Sequence, residues 1–467
     1  MRENQFAKQI QSATTLTTRQ KLQMILSLSI PGILAVITET IMGFIDTAMV
    51  GALGAAPSAS IGLVMSSTWL FGSLLSSVAM GFSVQVAHAV GANHIEKSRR
   101  LFKGSILTSL LVSVLIGGIC YLWALVAPTW LQAQPEIHRD AIAYLGLFAI
   151  FIPIRQLNYL SNGMLQCAGD MKTPSMLAGL MCILDILFNF LLIFPTRDIS
   201  MLGISMTIYG ANLGVFGAQL GTSLAVLLCT CISMYIAVYQ SNELKIGEVK
   251  GNWFVHRDEL NYACKVGIPN ALAQSILCMG QIVSMKIIAP LGTVAIAAHS
   301  FGNTVESICY MPGYGIASAA TTLIGQSIGA NKKELAKDFS HLITYLGMIV
   351  MGVIACILFF ISPLIFKVLT PDIAVQDLGV QVIRIVMIAE PLFAASIVIT
   401  GVLQGAGDTF IPFILNLVSL WGIRITLAFI LTPTMGLAGA WLAMAIDISI
   451  RGILYLIRLY FTNWIKN

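Results

Sequence analysis

Between Lys21 and Glu96 the only Asp, Glu, Lys or Arg side chains are Glu39 and Asp46. So apolar a stretch suits a bilayer, where each peptide group must find its hydrogen bond inside the chain, and a helix does this within one segment. The pattern continues to the C-terminus. Long apolar segments separated by short polar connections read as twelve spans, each near the ~20 residues that cross the hydrocarbon. They are 22–50, 61–90, 104–127, 140–164, 175–194, 214–239, 263–290, 296–328, 339–364, 378–403, 409–432 and 436–461. With 57% hydrophobic and 10% charged residues and a mean hydropathy of +0.86, the 467-residue chain has too little polar surface to coat a soluble globule. The expected fold is all-α and integral to the membrane.

The net charge of +5 is better read by place than by sum. With the N-terminus inside, the outer loops hold only Arg139, Arg197 and Lys367, whereas Lys97, Arg99, Arg100, Lys332, Lys333 and most other basic loop residues fall inside. This asymmetry orients a multi-pass protein of the cytoplasmic (inner) membrane with both termini cytoplasmic. It is a topology signal, and no nucleic-acid partner is expected. Residues 1–21 lack a short apolar core followed by a small-residue cleavage site, so the first span is expected to remain as an anchor. The nine cysteines include no CxxC and suit packing. The six histidines show no ligand spacing, and no metal is expected.

The chain repeats itself. Pro31 and Pro269, the Gly-Ala-Asn breaks at Gly91 and Gly329, Glu96 and Glu334, LQCAGD (165–170) and LQGAGD (403–408), and Pro174 and Pro412 are all related by one offset, 238. Such matches mark an internal duplication of a six-span unit. Six is even, so both copies enter from the same side: two six-helix lobes related by a pseudo-two-fold along the membrane normal, with a substrate site expected at their interface. The expected divisions are an N-terminal segment 1–21, an N-lobe 22–239, a charged linker 240–262, a C-lobe 263–461 and a tail 462–467. Before the last span of each copy the offset falls to 222, where GVFGA (214–218) aligns with GLAGA (436–440). The shared glycines are read as turn formers at the span ends.

Ionisable residues inside a span mark ion or substrate paths by default. Glu39 and Asp46 are seven apart, about two helical turns, with Met42 on the same stripe. Against this stands a simpler reading, in which Asp46, close to Gly51, is solvated at the bilayer surface. In the fifth span Asp185 and Asn189 share a face, and in the fourth Asn158, Asn162 and Gln166 do. Were these faces to meet the Glu39/Asp46 stripe, carboxylates and amides would line a chamber suited to a proton or cation. Each Asn taken singly also suits interhelical hydrogen bonding. At offset 238 Glu39, Asp46 and Asp185 map to Leu277, Ser284 and Ile423, so the buried acids are expected in the first half. The second half also carries Glu306 and Glu390 in its spans; there Asp447 and Arg451, four apart, are expected to neutralise each other, and Lys286 to snorkel. Arg155 and Arg424 have no assigned role.

The two six-span halves, Pro31 followed by Asp46 in GFIDTAMVG, and the repeated GAN and GD turns resemble the multidrug and toxic compound extrusion (MATE) transporters over nearly the whole chain. The resemblance implies an antiporter, not an enzyme, that expels amphipathic, often cationic small molecules while H⁺ or Na⁺ enters through the first lobe. It places the family's first-span and fifth-span aspartates on Asp46 and Asp185, and it implies no cofactor besides the coupling ion. The acids that NorM-type members carry in the seventh and tenth spans fall here on Leu277 and Phe393, which points to the DinF-like branch. Met181 stands where an Asn is expected one turn before the fifth-span acid. The implied mechanism has the Asp46/Asp185 pair take a proton from outside, after which the first span bends at Pro31, where one backbone hydrogen bond is missing. The chamber lined by Glu39, Met42, Asn158, Asn162 and Asn189 then collapses and displaces the drug. A monomer in the lipid bilayer is expected.

The nearest rival is a lipid or oligosaccharide flippase, which would gather Arg155, Lys286 and Arg424 around a phosphate. An intramembrane enzyme such as a prenyl transferase needs clustered aspartates for Mg²⁺, and the only adjacent acids, Asp258 and Glu259, lie in the linker. A channel filter of the TVGYG kind is absent from the sequence.

Overall fold

The computed structural model describes residues 5–12, 16–131, 133–201, 204–247 and 253–465. Parts of the expected N-terminal segment (1–4 and 13–15), of the linker (248–252) and of the tail (466–467) lie outside the described residues. A short helix α1 (Gln5–Ser12) precedes α2 (Thr18–Gly51), α3 (Ala55–Gly91) and α4 (Ile95–Trp130). Next come α5 (Pro135–Ile150), α6 (Ile152–Cys167) and α7 (Lys172–Leu192), a hairpin β1 (Pro195–Met201) and β2 (Ile204–Ala211), and α8 (Gly214–Tyr235), which ends in a π turn, Ile236–Gln240. The second half runs through α9 (Arg257–Ile288), α10 (Thr293–Gly329), α11 (Lys333–Leu369), α12 (Ile373–Met387) and α13 (Glu390–Gly405). It closes with α14 (Phe410–Leu417), a π stretch (Val418–Ile425), α15 (Thr426–Met435) and α16 (Leu437–Phe461).

Among the described residues nine helical stretches are long and apolar enough to cross a membrane, and two bent pairs bring the number to eleven. α10 makes twelve: at 37 residues it is long enough, but His299, Asn303, Glu306 and Gln326 dilute its apolar surface. The expected all-α membrane fold is what forms, and each expected span has its helix.

Two spans read as continuous are broken. α5 and α6 meet at 50°, and α12 and α13 at 57°. Pro153 and Pro391, again 238 apart, stand in the first turn of the second helix of each pair. A proline there lacks the N–H that would continue the preceding helix, so the span bends. The outer segment read as a loop forms the β1/β2 hairpin, which pairs Pro195 with Ala211 and Met201 with Ile204. In the second half only Gly436, at φ 60°, separates α15 from α16. The hairpin thus accounts for the drop in offset from 238 to 222.

The repeated Gly-Asp turns are glycine turns as expected, with Gly169 and Gly407 at φ 99° and 77°, but the Gly-Ala-Asn breaks are finer. Asn93 and Asn331 take the positive φ, 60° and 58°. Gly91 and Gly329 serve close approach instead: a Cβ on Gly91 would run into the carbonyl of Gln326, and one on Gly329 into that of His88. The ends of α3 and α10 therefore cross at backbone distance, and the Gln11 side chain of α1 bonds the Val90 and Gly91 carbonyls at 3.0 and 3.1 Å.

The chain forms two compact units. One comprises Ile37–Val86 and Ile95–Ala263; the other comprises the described residues of Asn4–Val36, Ala87–His94 and Cys264–Asn467. These limits differ from the expected 22–239 and 263–461, because the start of α2 and the end of α3 group with the second half. In the first unit a core forms around Leu75, Cys120, Leu145 and Ile152. In the second, a larger one gathers Val305, Met351, Phe366, Val386 and Trp441.

Candidate functional site

The first unit holds the carboxylate pair on α2 and α7. Asp185 and Asn189 are both fully buried and one turn apart. The Asn189 amide donates to Asp46 Oδ1 at 2.7 Å and to Asp185 Oδ2 at 3.1 Å. One NH₂ group therefore ties two acids on different helices. α8 makes room for it: a Cβ on Gly221 would strike the Asn189 side chain. Thr222, its hydroxyl bonded to Ala218 O at 3.1 Å, lies beside Asp185. Asp185 Oδ1 and Asn189 Oδ1 are buried acceptors that find no donor among the described residues. A proton or a small cation would satisfy them, and a buried acceptor left bare costs free energy.

Arg155 completes the group. Its guanidinium lies over the Phe148 ring, 4.7 Å from the centroid, and its charge acts on Asp46, Asp185, Tyr144 and Tyr159. It makes no ion pair among the described residues, so its attraction to the two acids acts at longer range. Two carboxyls and one cation are neutral when the pair shares a single proton, the cheapest charge state where water is scarce.

The other residues expected to line a chamber make no hydrogen bond to this group among the described residues. Glu39 is exposed, with Tyr159 as an electrostatic neighbour and no hydrogen bond among the described residues. Asn158 and Asn162 bond each other at 3.1 Å along α6. Met42 packs in an apolar cluster with Met181, Ala225 and Cys229. Pro31 lies within α2, which runs unbroken from Thr18 to Gly51; close by, a Cβ on Gly315 of α10 would meet the Ile33 backbone. Arg155, to which the sequence assigns no role, is the one Lys or Arg in the expected spans of the half that holds Asp46 and Asp185.

One expectation is overturned. Buried acids are not confined to the first half: Glu306 is 6% exposed and Glu390 fully buried. Asp447 does pair with Arg451, and Ser419 bonds the same carboxylate. Lys286 is exposed. Arg424 is buried on the π stretch, where its Nη2 meets Met444 Sδ at 2.7 Å.

Long helices, two bent spans and a bridged acid pair, with Asp185 fully buried and Asp46 partly so, describe a polytopic membrane protein. The MatE family model matches the chain twice, over residues 31–191 and 269–430, with the two starts 238 residues apart. The chain belongs to the MatE family. It is 25% identical to a probable multidrug resistance protein NorM of Thermotoga maritima over 449 residues, covering 95% of this chain and 93% of the relative. An uncharacterized transporter YisQ of Bacillus subtilis is 24% identical and covers 94% of each chain. Among solved structures, an outward-facing multidrug resistance MATE family transporter matches with a TM-score of 0.86 at 19% identity, over 99% of this chain and 98% of that one. A MATE transporter in the straight conformation also matches at 0.86 and 19%, over 98% and 97%.

Proposed function

We propose that this chain is a secondary multidrug efflux antiporter of the cytoplasmic membrane, both termini inside, that exchanges amphipathic cations for protons through the Asp46/Asp185 pair. The observation that carries the reading is the Asn189 amide, which holds two acids of separate helices in one hydrogen-bonded group. Such a group stores one proton and changes its bonding when the proton arrives or leaves. The driving force is the ion gradient, about 2.3 kcal/mol for each charge moved across 100 mV. Relatives called multidrug resistance proteins support the substrate class, and apolar Leu277 and Phe393 support DinF-like coupling through the first half. Against a flippase, Arg155 stacks on Phe148 and acts on Asp46 and Asp185, Arg424 meets Met444 within its own unit, and Lys286 is exposed.

The test is ethidium uptake into everted vesicles, the direction that corresponds to efflux from the cell, energised by an acidic lumen, with and without Na⁺. Asp46→Asn should abolish proton-driven efflux at unchanged membrane content. Full efflux by that variant, or efflux that needs Na⁺ and ignores the proton gradient, would overturn the reading.

A further inference from the structure

The second unit contains a polar group that the coupling mechanism above does not use. Glu390 begins α13 just past the 57° bend; it is fully buried, and neither carboxyl oxygen has a hydrogen-bond partner among the described residues. Glu306 of α10, 6% exposed, acts on it as a like-charged neighbour. Cys309 lies beside both acids, but its thiol donates to the Met351 carbonyl of α11 at 3.4 Å. Tyr310 and Tyr314 line the same face of α10. Arg424 acts on Glu306, and Asp447 and Arg451 of α16 in turn act on Arg424. Arg424 also lines a small cavity with Ser284, His299, Trp441 and Met444. His299 is held there by Trp441 Nε1 at 3.1 Å and by Asn303 at 3.1 Å.

Charge accounting decides what this group can do. Asp447 and Arg451 cancel, which leaves one cation, Arg424, against two carboxyls. With both carboxyls ionised the buried group carries a net negative charge; with both protonated it carries a net positive one. It is neutral only when Glu306 and Glu390 share one proton, and low dielectric penalises either alternative heavily. The Asp46/Asp185/Arg155 group has the same arithmetic with the signs exchanged between elements. In the first half the bent span carries the cation and the fifth span an acid; in the second half the bent span carries Glu390 and the fifth span Arg424. At offset 238 Arg155 maps to Phe393, Asp185 to Ile423, Glu390 to Ile152 and Arg424 to Ile186. The second group is therefore no relic of the duplication, since none of its residues copies the first.

We propose that Glu306 and Glu390, with Arg424 as counter-charge, form a second proton-binding site, housed in the second unit and titrating independently of Asp46 and Asp185. The inference goes beyond the antiport reading and does not require it.

Infrared difference spectra between acidic and alkaline buffer, on the full-length protein in nanodiscs, test it. In Asp46→Asn/Asp185→Asn the protonated-carboxyl band of the first pair is removed, and a second titrating band should remain. It should be lost when Glu390→Gln is added and, separately, when Glu306→Gln is added, which guards against one variant misfolding. Absence of any titrating band in the double variant, or a band that survives both glutamine substitutions, overturns the proposal. So does a band suppressed by replacing choline with Na⁺ at constant ionic strength, which would mean a cation site. The difference between wild type and the double variant reports on the first pair alone, so the two readings fail separately.

Discussion

Asn189 Nδ2 stands 2.7 Å from Asp46 Oδ1, and this hydrogen bond joins α7 to the acid-bearing end of α2. Because the same amide also serves Asp185, its removal strands two carboxyls at once. A hydrogen bond to a charged group is worth roughly 1.5–3 kcal/mol. Asn189→Ala is therefore expected to lower proton-driven ethidium efflux by about tenfold or more at unchanged membrane content. Wild-type efflux by Asn189→Ala would mean that the bridge is incidental.

Arg155 acts on the same acids through charge and is held in place by the Phe148 ring. Arg155→Gln removes the cation that favours the ionised pair, so a proton is retained to higher pH and the half-maximal point of the efflux profile should move in the alkaline direction. Arg155→Lys keeps the charge but lacks the flat guanidinium that stacks; it should keep the wild-type profile at a reduced rate. Measuring efflux against pH for both variants separates charge from packing, and an unmoved profile in Arg155→Gln removes Arg155 from the site.

The crossing of α3 and α10 makes a prediction about stability. A methyl group at Gly91 or Gly329 meets a backbone carbonyl that cannot rotate away, and overpacking of this kind costs about 1–3 kcal/mol. Gly91→Ala and Gly329→Ala should each lower the thermal midpoint of the detergent-solubilised protein. Gly118, with nothing within 4 Å of its Cβ position, is the control. Gly118→Ala should leave the midpoint unchanged or raise it, since glycine is disfavoured in a helix. Equal behaviour of the three variants would rule out the close crossing.

The span pattern was legible in the sequence because a bilayer demands long apolar helices, and the duplication was legible because turn residues such as Pro174, Asn93 and Gly169 recur in register. The two bends were not read, although Pro153 and Pro391 lie at the shared offset, because a proline early in a helix is tolerated and hydropathy is blind to a change in direction. Asp46, Asp185 and Asn189 could be picked out because polar groups are rare in spans. Their joining through one amide depends on how α2 packs on α7, which helical spacing within one segment does not specify. Glu39 and Met42 share the stripe of Asp46, but one is exposed and the other packs among apolar side chains, so neither joins its hydrogen bonds. Glu306 and Glu390 are visible in the sequence as acids of second-half spans, but neither has an acid at the equivalent first-half position, so the repeat assigns them no role.

The pair expected from spacing alone offers the sharpest thermodynamic test. Asp447 is fully buried, bonded to Arg451 one turn along α16 and to Ser419 on the neighbouring π stretch. Arg424 also acts on Asp447, so this carboxylate offsets more than one positive charge. Removing it should leave two cations facing each other with little water, and breaking a buried pair costs about 3–5 kcal/mol. Asp447→Ala is accordingly expected to be much less stable than wild type in thermal unfolding. Arg451→Met should be damaging too, since it leaves Asp447 with Arg424 as its more distant counter-charge. The double variant Asp447→Ala/Arg451→Met removes both members and should recover most of the loss, because the worst term, an uncompensated charge, is gone. Losses that simply add in the double variant would show that the two residues are not energetically coupled and that the neutral pair assumed in the charge accounting around Arg424 does not exist.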